Sequence, residues 1–250
     1  MVKSLLQQFL RRSPPSAAGH HDSPFEMTDD ATGAPLDALR LRALEALNVQ
    51  PGETVFDVGC GTGSLLPTLA RRVQENGWVV GIERSPHMAE HAKRRIEGIA
   101  FGYCVQVDET SAERFETTQR ADAMIFSFAH DVLLSPDALN RLIRFCKPRA
   151  RIAIVGLKTL PWWWGGPLNA FNLYRARKSF DTWMGLDRPW SLLEGCGAEL
   201  RQIESAWCGN LFIAIGQLGD DIRDSPNAPV YAPAFFEPLF IPSSKPRKPK

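Results

Sequence analysis

The chain has 250 residues, of which 44% are hydrophobic and 23% charged, with 29 lysines and arginines against 28 aspartates and glutamates. That composition fits a globular chain with one sizeable domain and excludes a disordered or fibrous one. A formal net charge of +1 leaves no broad basic face for nucleic acid, and no apolar run approaches the roughly 20 residues of a spanning helix. At the N-terminus, Val2, Leu5, Leu6, Phe9 and Leu10 recur at helical spacing between Lys3, Arg11 and Arg12, which predicts a short amphipathic helix. Such a helix suits a lid or a peripheral membrane contact, and it is too short and interrupted for a secretory signal. Residues 13–35, rich in Pro, Ser, Gly and His, read as a linker.

A helix is predicted over residues 36–47, with Leu36, Leu39, Ala43, Leu44 and Leu47 on one side. From Pro51-Gly52 onward, strand and helix signals alternate, the mark of a parallel α/β fold. Strands are predicted at 54–58, 78–82, 103–107, 123–128 and 151–155. Helices are predicted at 65–74, 87–96 and 136–146, the last two entered through Ser85-Pro86 and Ser135-Pro136 as cap and first-turn proline. A helix at 189–194 precedes strands at 203–206 and 211–215, an antiparallel pair at the sheet edge. The expected architecture is a Rossmann-like, doubly wound, mostly parallel sheet of seven strands with an antiparallel edge strand. Seven prolines after Gly219 rule out a long regular element in 219–250. The domains are thus residues 1–35, 36–218 and the Pro-rich tail 219–250.

The most informative stretch runs from Val55 to Leu66, through Asp57, Gly59, Cys60, Gly61 and Gly63. An apolar strand meets an acid, then three glycines at alternating positions, then a helix start. Glycine lets backbone turn sharply and approach a ligand, and the helix aims free N–H groups at the same place. The dinucleotide fingerprint G-x-G-x-x-G is not met, because Ser64 stands where its third glycine belongs. A nicotinamide-dependent reductase is disfavoured on that ground. A second acid, Glu83, ends the next strand 20 residues after Gly63, the distance at which a carboxylate meets a ribose in nucleotide-binding sheets.

The Asp-x-Gly-x-Gly-x-Gly run resembles motif I of the class I S-adenosylmethionine-dependent methyltransferases, and the resemblance covers residues 36–156. It implies that Asp57, Gly59, Cys60, Gly61 and Gly63 wrap the methionine part of S-adenosylmethionine. It implies further that Glu83, with Arg84 beside it, binds the ribose and that Asp108, with Glu109 competing, accepts from the adenine amino group. Ser127 and Phe128, in the segment resembling motif IV, border the cofactor. The Asn/Asp-Pro-Pro-Tyr signature of base and amide methylation is absent. Lys147-Pro148-Arg149-Ala150 resembles the family's turn before strand five, with Arg149-Ala150 in place of two glycines.

His130 and Asp131 stand at the carboxyl end of strand four, where ligands bind in open sheets. They are the candidate catalytic groups, histidine being the natural base near neutral pH. No metal-ligand set is evident. Residues 158–188 form an aromatic insert in which Trp162, Trp163, Trp164, Tyr174 and Arg175 are the candidate substrate contacts. Consecutive tryptophans cannot all face one way, so some meet a pocket, a partner or a membrane interface. Five scattered cysteines without C-x-x-C fit free thiols in a reducing cytoplasm.

The expectation is an S-adenosylmethionine-dependent methyltransferase for a small, largely apolar acceptor resembling a lipid, quinone or natural product. It is expected in the cytoplasm, peripheral to a membrane at most, with no nucleic-acid partner. The alternative is a membrane-associated cofactor-binding or interaction module without turnover.

Overall fold

A computed structural model of the chain describes residues 33–160, 166, 169, 187–206 and 209–220. The predicted N-terminal helix, most of the linker, nearly all of the aromatic insert and the tail after 220 lie outside the described residues. The ordered core begins with α1 (Gly33–Leu47), β1 (Thr54–Val58), α2 (Leu66–Val73), β2 (Trp78–Glu83) and α3 (Pro86–Ile96). It continues through β3 (Val105–Glu109), β4 (Ala121–Ser127), the short α4 (His130–Leu133), α5 (Pro136–Ile143) and β5 (Cys146–Leu157). It closes with α6 (Ser191–Gly195), β6 (Ala198–Ala206) and β7 (Leu211–Leu218).

The seven strands form one sheet in the order β3-β2-β1-β4-β5-β7-β6. Strands β1 to β5 are parallel, and β7 runs antiparallel to both β5 and β6. The reversed strand therefore lies second from the edge, with β6 outside it. The chain builds outward from β1 in one direction and resumes at β4 in the other. The order thus reverses between β1 and β4, and this switch point opens a crevice beyond the carboxyl ends of those strands.

The strands read as near-continuous apolar runs because both sheet faces are covered. On one face Val55, Val79, Ala123, Ile125 and Val155 pack under Leu39, Leu44 and Leu47 of α1, Leu66, Leu69 and Val73 of α2, and Ala92 of α3. On the other, Phe56, Val58, Met124, Phe126, Ile152 and Ile154 pack with Leu139 and Leu142 of α5 and Leu193 of α6. Ser85 and Ser135 cap α3 and α5, their side chains accepting from Met88 N–H and Ala138 N–H at 3.4 and 3.2 Å. Each serine satisfies a backbone donor that would otherwise be orphaned.

Two predicted boundaries move, for local reasons. The third strand starts at Val105 rather than Tyr103, because Gly102–Cys104 forms a 3₁₀ turn entered from Phe101 at φ +63°. The helix predicted to reach Cys146 stops at Ile143, since Cys146 already pairs with Ala121 on β4. Pairing then jumps to Arg151 opposite Ala123, and the extra residues bulge out with Arg149 at φ +56°. Arginine here occupies a left-handed turn position of the kind that favours glycine.

Helix α1 is tied to the sheet at its far end. Arg151 of β5 donates from Nε to the Leu47 carbonyl at 3.0 Å and pairs with Glu53, and Arg42 pairs with Glu204 of β6 at 2.6 Å. These ties set the position from which α1 presents Arg40. The described cysteines, Cys60, Cys104, Cys146 and Cys196, are buried and none is in a disulfide. No helix among the described residues is long and apolar enough to cross a membrane.

Candidate functional site

The bend after β1 is held by its neighbour strand. Gly59 N–H and Cys60 N–H both donate to the Ile82 carbonyl of β2, at 2.8 and 3.1 Å. Gly59, Gly61 and Gly63 have φ of +67°, +57° and +76°. A Cβ on Gly61 would meet only Met88 Sδ, at 4.0 Å, so the backbone there borders open space. Cys60 turns its thiol inward, where it limits the space at Gly81, and burial raises its pKa well above the usual thiol value. What Cys60 offers to the bend is therefore its backbone.

Glu83, at the tip of β2, is 7% exposed. One carboxylate oxygen accepts from Gly61 N–H at 2.9 Å and the other from Ser85 N–H at 2.8 Å. The acid and the glycine bend predicted to share one ligand are thus in direct contact. A carboxylate has about four lone-pair sites, so each oxygen keeps acceptor capacity for a sugar hydroxyl.

Asp57 is 1% exposed, and its Oδ1 has no hydrogen-bond partner among the described residues. Its pKa is raised to about 7, mainly by burial. Arg40 pulls the other way, and Glu83 adds to the rise. Arg40 belongs to α1 and was not among the residues expected at the site. Its Nε donates to Ser127 Oγ at 2.9 Å, its Nη1 donates to Asp37 at 2.7 Å, and its guanidinium lies 5.1 Å from the Phe128 ring centroid. Ser127 and Phe128 thus meet α1 at the mouth of the crevice, and Phe128 holds φ +58° with its N–H on the Val155 carbonyl.

Asp108 is half-buried at the tip of β3, opposite Ile82, and accepts from the Gln106 amide. Glu109 is exposed and paired with Lys93 at 3.4 Å, which leaves Asp108 the better placed of the two acids.

His130 lies 2% exposed. Its Nε2 sits 2.7 Å from the Leu157 carbonyl and 3.0 Å from the Leu157 nitrogen, so according to tautomer it donates to the carbonyl or accepts from the N–H. A Cβ on Gly156 would stand 2.9 Å from the ring, so β5 passes close over it. Burial lowers the pKa despite backbone hydrogen bonds at Leu157 and Phe128 that favour the charged form. The ring of this candidate base is thus packed between β4 and β5. Asp131 and Arg84, expected in catalysis and at the cofactor, pair with each other at 3.3 Å between the tips of β4 and β2. With side chains 40% and 65% exposed, this is a weak, water-screened pair.

Trp162, Trp163, Trp164, Tyr174 and Arg175 lie outside the described residues. One point of their segment is fixed: the buried Asn169 amide accepts from Leu160 N–H at 2.9 Å and donates to the Leu160 carbonyl at 2.6 Å. That clamp holds Asn169 against Leu160, just beyond the carboxyl end of β5. Among the described residues no three metal-type side chains gather into a site.

The sequence profile of a family described as "Methyltransferase domain" matches residues 50–165. Demethylmenaquinone methyltransferase of Beutenbergia cavernae is 30% identical over 158 residues, 61% of this chain and 62% of that protein. The 2-phytyl-1,4-naphtoquinone methyltransferase of Trichormus variabilis is 32% identical over 115 residues, 45% of this chain and 50% of that one. The chain thus spans less than two thirds of the length of these relatives. Among solved structures, a SAM dependent methyltransferase from Aquifex aeolicus superposes with a TM-score of 0.51 at 24% identity, covering 76% of this chain and all of that one. An O-methyltransferase family protein from Burkholderia thailandensis gives 0.57 at 15% identity, covering 75% and 58%. At these identities the structures speak to the fold.

Proposed function

We propose that the chain is a class I S-adenosylmethionine-dependent methyltransferase that methylates a small, largely apolar acceptor, a reading supported by the methyltransferase-domain match over residues 50–165 and by the methyltransferase relatives. The observation that carries the reading is the 2.9 Å hydrogen bond from Gly61 N–H to Glu83, which joins bend and acid into one cradle. Two further features fit the cofactor: open space over Gly61 and a buried Asp57 oxygen that no described group satisfies. Backbone from Gly59 to Gly63 would hold the amino-acid end, Glu83 the ribose and Asp108 the base, with Ser127 and Phe128 alongside. When bound, the cofactor supplies a methyl group already electrophilic on its sulfonium.

The protein's own task is then positioning, which in a two-reactant displacement supplies much of the acceleration. His130 pins the end of β4 to β5 and so fixes Phe128 and Ala129, rather than taking a proton from the acceptor. Arg40 holds Ser127 and Phe128 in place, and its Nη2 has no hydrogen-bond partner among the described residues. That group suits the cofactor's carboxylate. A hydrogen bond to a charged partner is worth about 1.5–3 kcal/mol, so Arg40→Gln should weaken cofactor binding by roughly ten- to a hundredfold. An unchanged Kd by calorimetry would remove Arg40 from the site.

The acceptor class rests on the relatives named for demethylmenaquinone and 2-phytyl-1,4-naphtoquinone, together with the aromatic insert. The residues proposed to meet the acceptor are Trp162, Trp163, Trp164, Tyr174 and Arg175. The test is calorimetric binding of S-adenosylmethionine, followed by transfer of labelled methyl to a panel of quinones, lipids and hydrophilic controls. Transfer to the apolar members is the expected result. Binding with no transfer to any member would favour a membrane-associated module without turnover.

A further inference from the structure

We propose that Asp57 is a charge-sensing, specificity-determining residue that holds a proton in the empty site and releases it to solvent when the cofactor, with its ammonium and sulfonium, binds. The inference rests on the cofactor reading above. Asp57 is the penultimate residue of β1, two residues before Gly59 of the bend, in a position 1% exposed. Its Oδ1 is satisfied by no described donor. A buried carboxylate in that state would be costly, so the group keeps its proton.

The charged groups facing it among the described residues explain why its carboxyl is harder to ionise than an exposed one. Glu83 of β2 is a carboxylate and repels a second negative charge. Cys60 in the bend has its thiol pushed up by burial and by both acids, so it stays neutral. Arg40 of α1 is the one cation among the described residues that acts on Asp57, but its hydrogen bonds go to Ser127 and Asp37. No described cation is hydrogen-bonded to Asp57, and the amino-acid end of S-adenosylmethionine brings an ammonium and a sulfonium, its carboxylate being matched by Arg40. A cation within a few ångströms favours the carboxylate form of an acid. The demethylated product keeps the ammonium and loses the sulfonium. Asp57 thereby favours the methyl-bearing form over the spent one.

The consequence is a linkage measurable without turnover. With the unliganded carboxyl near pKa 7, binding at about pH 6 should release about 0.9 proton and at about pH 8 about 0.1, and affinity should weaken about tenfold on going from the higher pH to the lower. Calorimetry on the full chain, in buffers of matched pH and different ionisation enthalpy, reads the proton directly. S-adenosylhomocysteine should release less than the cofactor at about pH 6. In Asp57→Asn, the buffer dependence at both pH values should vanish, and the preference for cofactor over product should shrink. The wild-type series stands even if that variant folds poorly. Cofactor heats identical in every buffer at about pH 6 would overturn the inference while leaving the cofactor site intact. Absence of cofactor binding in every buffer would instead overturn the methyltransferase reading itself.

Discussion

Gly61→Arg should fold and fail to bind, whereas Gly63→Ala should bind poorly because it folds poorly. Both glycines have positive φ, +57° and +76°, and both lie in the bend. They differ in what a side chain would meet. At Gly61 the only described atom within 4 Å of an added Cβ is Met88 Sδ, so the arginine's Cβ meets no clash and its side chain should compete for the space left for the ligand. The left-handed backbone then costs about 1–2 kcal/mol. At Gly63 a Cβ would lie 2.9 Å from Leu66 Cδ1 and 3.0 Å from both Cα and Cβ of Ala92, so helices α2 and α3 would have to part. Overpacking of that kind costs about 1–3 kcal/mol beyond the backbone term.

The measurements are far-UV circular dichroism, thermal melting and cofactor calorimetry on both variants. Gly61→Arg should melt within a few degrees of wild type and lose at least about a hundredfold in affinity, about 2.7 kcal/mol. Gly63→Ala should lose about 2–5 kcal/mol of stability. Wild-type affinity in Gly61→Arg would show that the cradle is not where the cofactor sits.

The contrast shows which features a sequence displays and which it hides. The glycines, Asp57 and Glu83 were legible because the bend and its acid are local features at fixed spacing, and β1 was read to its ends. Alternating strand and helix signals likewise displayed the parallel sheet. Arg40 was not legible. It lies on a helix whose visible message is the Leu39–Ala43–Leu47 side, and its partner Ser127 is 87 residues away. Only the sheet order, which sets β4 next to β1 under α1, brings them together. The burial of His130 was not legible for a related reason. A histidine after an apolar strand looks accessible until the following strand, with Gly156 over the ring, closes on it. Strand five began earlier than expected because tertiary pairing of Cys146 with Ala121 overrode the turn chemistry of Lys147-Pro148.

Removing the charge at Asp57 should stabilise the empty protein above neutral pH and do little below pH 4. The folded carboxyl titrates at about 7 against a reference of 3.8. A raised acid pKa means the folded state binds the proton more tightly than the unfolded one. Its contribution is therefore complete below the unfolded pKa and is lost as pH rises toward 7. At 1.36 kcal/mol per pH unit, the loss reaches about 4 kcal/mol. Asp57→Asn has no such titration. Thermal melts should show the two proteins close together at about pH 4 and the variant higher by roughly 8–15 °C at about pH 8. Saturating S-adenosylmethionine should raise the wild type more than the variant at the higher pH, because the ligand supplies the charge that the buried carboxylate lacks. A gap between the two proteins that is the same at every pH would mean that Asp57 does not titrate between its folded and unfolded states. A gap that opens with pH and narrows with ligand would mean that this position forgoes stability in the empty state to favour a cationic ligand, a trade seen where function requires a destabilised group.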